Sequence, residues 1–150
     1  MLFFQEKVPI SMKFLVTGGA GFIGSHLVDK LIGDGYHVKV IDNESASEND
    51  FFYWNKKADN YRLDICNYNE IEKLFKDIDC VFHLAAESRI QAAIKNPSKT
   101  FSVNFKGTLN ILNACKKYNV NRVIYSSTSS IYGLKNIPPL KENMLRNCLN

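Results

Sequence analysis

The sequence predicts an α/β domain built on a doubly wound parallel sheet of strand order 3-2-1-4-5. Three observations carry this. Short apolar runs alternate with amphipathic helical segments along the chain. A glycine triplet, "TGGAGFIG", sits where the first strand should hand over to the first helix. An aspartate, Asp42, ends the second strand, eighteen residues beyond Gly24.

The elements follow in order. Residues 1–12 are expected to be an extension: "MLFFQEKVPIS" starts apolar, but Glu6, Lys7 and Pro9 interrupt it before a signal-peptide core can form. "KFLVT" (13–17) is a buried strand. "FIGSHLVDKLIGDG" places Ile23, Leu27 and Leu31 on one helical face, and Gly35 stops the helix. "HVKVI" (37–41) is the second strand, residues 43–58 an irregular loop, and 60–64 a weaker third strand. A short helix over 68–76 turns Ile71, Leu74 and Phe75 inward, before a fourth strand over 79–85. Pro97 opens a long helix, 97–118, with Phe101, Phe105, Leu109 and Leu112 as its apolar stripe. "RVIYSS" (122–127) is the fifth strand. The folded unit is expected over 13–133, with an irregular tail at 134–150.

The glycine spacing has a physical reason. One glycine lets the chain turn sharply, one removes the Cβ that would strike a pyrophosphate, and one lets the helix pack close to the strand. Gly18, Gly21 and Gly24 fill these places, and the helix N-terminus offers amides and a positive dipole end to phosphates. A strand before and a helix after turn the triplet into the dinucleotide fingerprint of a Rossmann-type fold. The Asp42 carboxylate is placed to accept from both adenosine ribose hydroxyls and would repel a 2′-phosphate, so NAD is favoured over NADP.

Composition narrows the function classes. A formal net charge of +4, without a block of five like charges, does not argue for nucleic acid. No apolar run reaches the roughly 18 residues that a membrane helix needs. Cys66, Cys80, Cys115 and Cys148 lack C-x-x-C spacing, and His26, His37 and His83 form no ligand cluster, so reduced thiols in a cytoplasmic protein are expected and no metal.

Four motifs in the same order, "FLVTGGAGFIGSHL", "HLAAESRI", "VNFKGTLNIL" and "SSTSSIYG", resemble the NAD-dependent epimerase/dehydratase family, extended short-chain dehydrogenase/reductases that act on nucleotide sugars. The resemblance covers residues 13–142. It implies that the amides of Phe22 and Ile23 hold the pyrophosphate, that Asp42 and Asn43 bind the adenosine ribose, and that Asp64 with Ile65 meets the adenine. It implies further that Leu84, Ala85 and Ala86 run beside the nicotinamide ribose, that Asn104 lies near the cofactor, and that Ser126 borders it. Thr128, three residues before Ile131, is the family's hydroxyl partner for the sugar group undergoing oxidation, through transient hydride transfer at sugar C4. The 4,6-dehydratases of the family carry an Asp-Glu pair next; here Ser129 and Ser130 stand instead, and neither exchanges a proton near neutral pH without a partner base. The resemblance therefore implies a 4-epimerase-like reaction on a nucleotide-sugar substrate, with the dehydratase as a lesser alternative.

Family chemistry also uses a Tyr-x-x-x-Lys pair some two dozen residues beyond the Tyr-Gly. The one such spacing in the 150 residues is Tyr53 and Lys57, between the second and third strands, and it is expected to be coincidental. Pro139 and Glu142 keep the family pattern and then it stops. The sequence thus reads as the N-terminal, cofactor-binding part of an epimerase, inactive alone, with a non-catalytic NAD-binding module or an inactive fragment as alternatives. The fifth strand is expected to be an exposed edge through which the chain self-associates.

Overall fold

The computed structural model describes residues 12–46 and 51–147. The expectations for residues 1–11 and for Cys148 fall outside the described residues.

Five strands form one parallel sheet: β1 (Lys13–Thr17), β2 (His37–Asp42), β3 (Asp59–Arg62), β4 (Cys80–His83) and β5 (Arg122–Tyr125), ordered β3-β2-β1-β4-β5. The central strand β1 pairs Phe14 with Val38 on one side and with Cys80 on the other. Its alternation divides the core. Phe14 and Val16 face helix α1 (Phe22–Gly33) and pack with Val28, Leu31, Val38 and Val40. Leu15 faces the other way, with Ile41, Val81, Ile71, Phe75, Ile111 and Ala114. That second layer comes from α2 (Tyr68–Ile71), which continues as a 3-10 turn over Glu72–Phe75, and from the long crossover helix. Both sheet faces are covered, as parallel sheets require.

Three expected strands are shorter than predicted. β3 ends at Arg62 because the chain turns at Asp64, whose Oδ1 accepts the Cys66 amide at 2.8 Å. β4 and β5 stop at His83 and Tyr125, although Leu84 N–H still donates to Thr17 O (3.1 Å) and Ser126 N–H to His83 O (3.1 Å). A short helix α3 (Ile90–Lys95) was not foreseen. Residues 134–147 contain turns and no regular element, and Asn147 N–H returns to Ile131 O at 2.8 Å.

The crossover helix corrects the sequence reading. It begins as α4 (Pro97–Phe101), with Pro97 in the first turn and the Asn96 side chain accepting from Lys99 N–H at 3.0 Å. It passes through a π-helical segment, Ser102–Gly107, and ends as α5 (Thr108–Lys117). The expected stripe faces outward: Phe101 is 61% exposed, Phe105 58%, Leu109 46% and Leu112 48%, with the two phenyl rings stacked at 4.9 Å. Inward lie Gly107, Asn110, Ile111, Ala114 and Cys115. The reason is separation at one turn: a Cβ on Gly107 would come within 2.5 Å of Ile65 Cδ1, so there the helix lies too near its neighbour for any side chain, while Ile111 one turn on is packed in the core. Size alone favoured the wrong face. Ile23 is likewise exposed, while Leu27 is half-buried and Leu31 buried in α1.

Candidate functional site

A cleft opens at the C-terminal ends of the strands, where the chain order reverses on either side of β1. This is the crevice in which open parallel sheets receive ligands. It is lined from successive strand ends by Gly18 and Gly21, Asp42 and Asn43, Asp64 and Ile65, and Leu84, Ala85 and Ala86, all predicted site residues. Ile41, Ser45, Ala46, Phe52, Leu63 and Val103 complete the lining and were not singled out from sequence. Phe52 comes from the loop expected to be irregular, which reaches the glycine turn through Tyr53 N–H to Ala20 O at 3.0 Å.

The glycine turn is tight for steric reasons. Gly18 sits at φ +70°, and a Cβ there would lie 2.8 Å from Ala85 N. At Gly24, buried at the start of α1, a Cβ would lie 2.1 Å from Gly18 O. Gly21 caps the helix, its carbonyl accepting from Ser25 N–H at 2.9 Å. The first-turn amides of Phe22 and Ile23 have no carbonyl one turn earlier within the helix to meet them, and both side chains are turned outward.

Asp42 is fixed in place. Ala20 N–H donates to its Oδ2 at 3.0 Å and Glu44 N–H to its Oδ1 at 2.8 Å. A carboxylate has about four lone-pair sites, so each oxygen retains capacity for a further donor. Asn43 Oδ1 accepts from Ser45 N–H at 3.1 Å. The Asp64 turn is held from across the fold: Asn110 Nδ2 donates to Ile65 O (2.9 Å) and Cys66 O (3.0 Å). Burial, with Asp64 alongside, pushes the Cys66 thiol up to about 11, which makes it a poor nucleophile at neutral pH.

Asn104 does not line the cleft. Its side chain clamps the backbone of Glu87, accepting from Glu87 N–H at 2.8 Å and donating to Glu87 O at 3.0 Å. Its direct effect is on the loop after β4, and Lys99 Nζ adds an ion pair to the Glu87 carboxylate at 2.8 Å. Ser126 also lies outside the cleft lining. Thr128 is exposed and lines a separate shallow groove with Ser127, Tyr132, Glu142 and Arg146. Its Oγ1 accepts from Ser130 N–H at 3.2 Å, capping a 3-10 turn over Ser129–Tyr132. Tyr53 and Lys57 line a third groove, with Asp29, Ile32 and Gly33 of α1, and neither is among the residues that line the crevice. Among the described residues no group of three or more His, Cys, Asp or Glu side chains could hold a metal ion, and no helix is long and apolar enough to cross a membrane.

Sheet order, crevice and glycine turn define the class: a Rossmann-type dinucleotide-binding fold. Residues 14–148 match the model of the NAD dependent epimerase/dehydratase family, and the chain belongs to that family. It is 40% identical over 131 residues to a putative UDP-glucose 4-epimerase of Methanocaldococcus jannaschii, covering 86% of this chain and 42% of that protein. Among solved structures, the UDP-glucose 4-epimerase of Thermotoga maritima with UDP-glucose superposes with a TM-score of 0.80 at 37% identity, covering 92% of this chain and 45% of the other. The Thermus thermophilus UDP-glucose 4-epimerase complex with NAD gives 0.78 at 34%, covering 91% and 45%. The chain thus spans less than half the length of these relatives.

Proposed function

We propose that the chain is the NAD-binding portion of a nucleotide-sugar 4-epimerase. The observation that supports this most is the crevice itself, with Gly18 at positive φ beneath it and Asp42 oriented at its adenosine end. A Cβ-free floor, helix amides for phosphate, and a carboxylate held by two backbone amides fit a dinucleotide carrying an unmodified ribose. Gly18 and Gly21 would floor the pyrophosphate, with the amides of Phe22 and Ile23 facing it. Asp42 and Asn43 would take the ribose hydroxyls, Asp64 and Ile65 the adenine, and Leu84 to Ala86 the nicotinamide ribose.

Bound NAD supplies a hydride acceptor. The chain's own part in the chemistry falls to Thr128. Its oxygen accepts from Ser130 N–H, which leaves the hydroxyl proton free to donate to a sugar oxygen. The relatives' names point to UDP-sugars as the substrate class.

Calorimetry of the chain with NAD and NADP tests the cofactor reading. NAD should bind more tightly, and Asp42→Ala should narrow the gap. Equal affinity of the unaltered chain for the two cofactors would overturn the assignment.

A further inference from the structure

His83 occupies an unexpected place. Along β1 and β4, Leu15 and Val81 point into the apolar layer beneath α5, and the next residues on that face are Thr17 and His83, paired across the strands. Both are buried, at 0% and 2% exposure, where the pattern calls for aliphatic side chains. The imidazole is nonetheless satisfied at both nitrogens: Nδ1 lies 2.6 Å from Thr17 Oγ1 and Nε2 lies 2.9 Å from Thr108 Oγ1.

The neighbouring bonds fix the proton. Thr108 has one hydroxyl proton, and it goes to Asn104 O at 2.7 Å, an oxygen that can only accept. Toward His83 the Thr108 oxygen must therefore accept, so Nε2 carries hydrogen. On the other side the Ala85 amide donates to Thr17 Oγ1 at 3.3 Å, which leaves the Thr17 proton for Nδ1. Every donor then has an acceptor only if the ring is neutral and protonated on Nε2. Burial, which holds its pKa down at about 4, agrees.

This chain of bonds runs from Ala85 through Thr17, His83 and Thr108 to the carbonyl of Asn104, whose side chain clamps Glu87. The Ala85 end of the loop after β4 is thereby tied to the crossover helix through the ring, while the Glu87 end is held directly by the Asn104 side chain. We propose that His83 is a positioning residue: as the neutral Nε2–H imidazole it fixes loop residues 84–87 along the nicotinamide side of the cleft, a role that rests on the NAD reading above.

The test uses the full chain. Side-chain ¹⁵N spectra of the unaltered protein at neutral pH should show a pyridine-type Nδ1 and a pyrrole-type Nε2; an imidazolium, or the Nδ1–H tautomer, overturns the proposal. His83→Gln keeps a donor toward Thr108, whereas His83→Asn keeps only an acceptor toward Thr17. Each substitution breaks one link of the chain, so amide exchange at residues 84–87 should quicken in both. NAD affinity should fall roughly three- to tenfold in His83→Asn, the worth of one lost hydrogen bond, while affinity for AMP, which probes the adenosine end alone, should hold. Should His83→Asn not fold, Thr108→Val should loosen the same loop. Unchanged exchange in both His83→Asn and Thr108→Val, or equal losses for AMP and NAD, overturns the positioning role. If the unaltered chain binds neither AMP nor NAD, the cleft reading fails, and the spectra and exchange rates still decide the role of His83 in the loop.

Discussion

Gly24 and Gly33 lie in the same helix, and the same substitution should move stability in opposite directions. An alanine Cβ at Gly24 would stand 2.1 Å from Gly18 O and 2.7 Å from Gly19 Cα. Comfortable contact needs about 3.5 Å. Both obstructing atoms are backbone, so relief means moving the glycine turn away from α1. Overpacking of this kind costs about 1–3 kcal/mol, and a backbone obstacle places it at the upper end. Alanine regains about 1 kcal/mol in helix propensity. The net loss is about 2 kcal/mol, which at a urea m-value of about 2 kcal/mol/M lowers the midpoint by about 1 M. At Gly33 nothing lies within 4 Å of the added carbon, and φ is not positive. Gly33→Ala should therefore raise stability by about 0.4–1 kcal/mol by restricting the unfolded chain. Urea unfolding of both variants, followed by far-UV circular dichroism, reads the difference. A midpoint for Gly24→Ala equal to or above that of Gly33→Ala would refute the steric account of the turn.

Three further outcomes are expected. Burial holds the His83 pKa at about 4 against an ordinary 6.5. The unfolded chain thus binds a proton that the folded chain refuses, and the stability from this group is complete above pH 6.5 and lost as pH falls toward 4. The loss is on the order of 2 to 3 kcal/mol, and urea midpoints at pH 7 and 4.5 should fall further apart in the unaltered chain than in His83→Gln. The edge strand β5, with Ile124 43% and Tyr125 57% exposed, should pair with a second copy at tens of micromolar, and Ile124→Lys should weaken that association in sedimentation; a monomer throughout would refute edge pairing. Finally, the 150-residue chain should show no 4-epimerase turnover with UDP-galactose, because its one Tyr-x-x-x-Lys pair, Tyr53 and Lys57, lies in another groove; turnover abolished by Tyr53→Phe would prove that placement irrelevant.

Much of the cleft was legible because its determinants are local. Glycine at 18, 21 and 24 recurs at a short fixed spacing between a strand and a helix, an acid ends β2 and small residues follow β4, and each is read along the chain even though the backbone that crowds Gly18 belongs to Leu84 and Ala85. The parallel sheet followed from the alternation of elements, and its strand order from the order usual for this fold. What joins those strand ends was not legible. Thr17 and His83 are separated by 66 residues in sequence, Asn110 and Ile65 by 45. No periodicity relates such pairs, and a lone histidine in an apolar strand gives no sign of which hydroxyls will flank it. Asn104 was placed near the cofactor by resemblance, and its bonds to the Glu87 backbone gave no sign of themselves in the sequence.

The misread helix face has the same origin and connects to the site. Apolar residues recur on two faces of the crossover helix, one of large side chains (Phe101, Phe105, Leu109, Leu112) and one mostly of small ones (Gly107, Ala114, Cys115) with Ile111 among them. Hydrophobicity weighted by size selects the first. Yet the face that meets the sheet is decided by how near the helix must come. Asn110 is a short side chain, and it reaches the carbonyls of Ile65 and Cys66 only because Gly107, one turn earlier, lets the helix close on Ile65. Thr108, also short, meets His83 by the same approach. Small residues inward are thus the condition for polar side chains of this helix to hold two walls of the cleft, the Asp64 turn and the loop after β4. The large face is then left outward because it would have kept the helix too far away to do either.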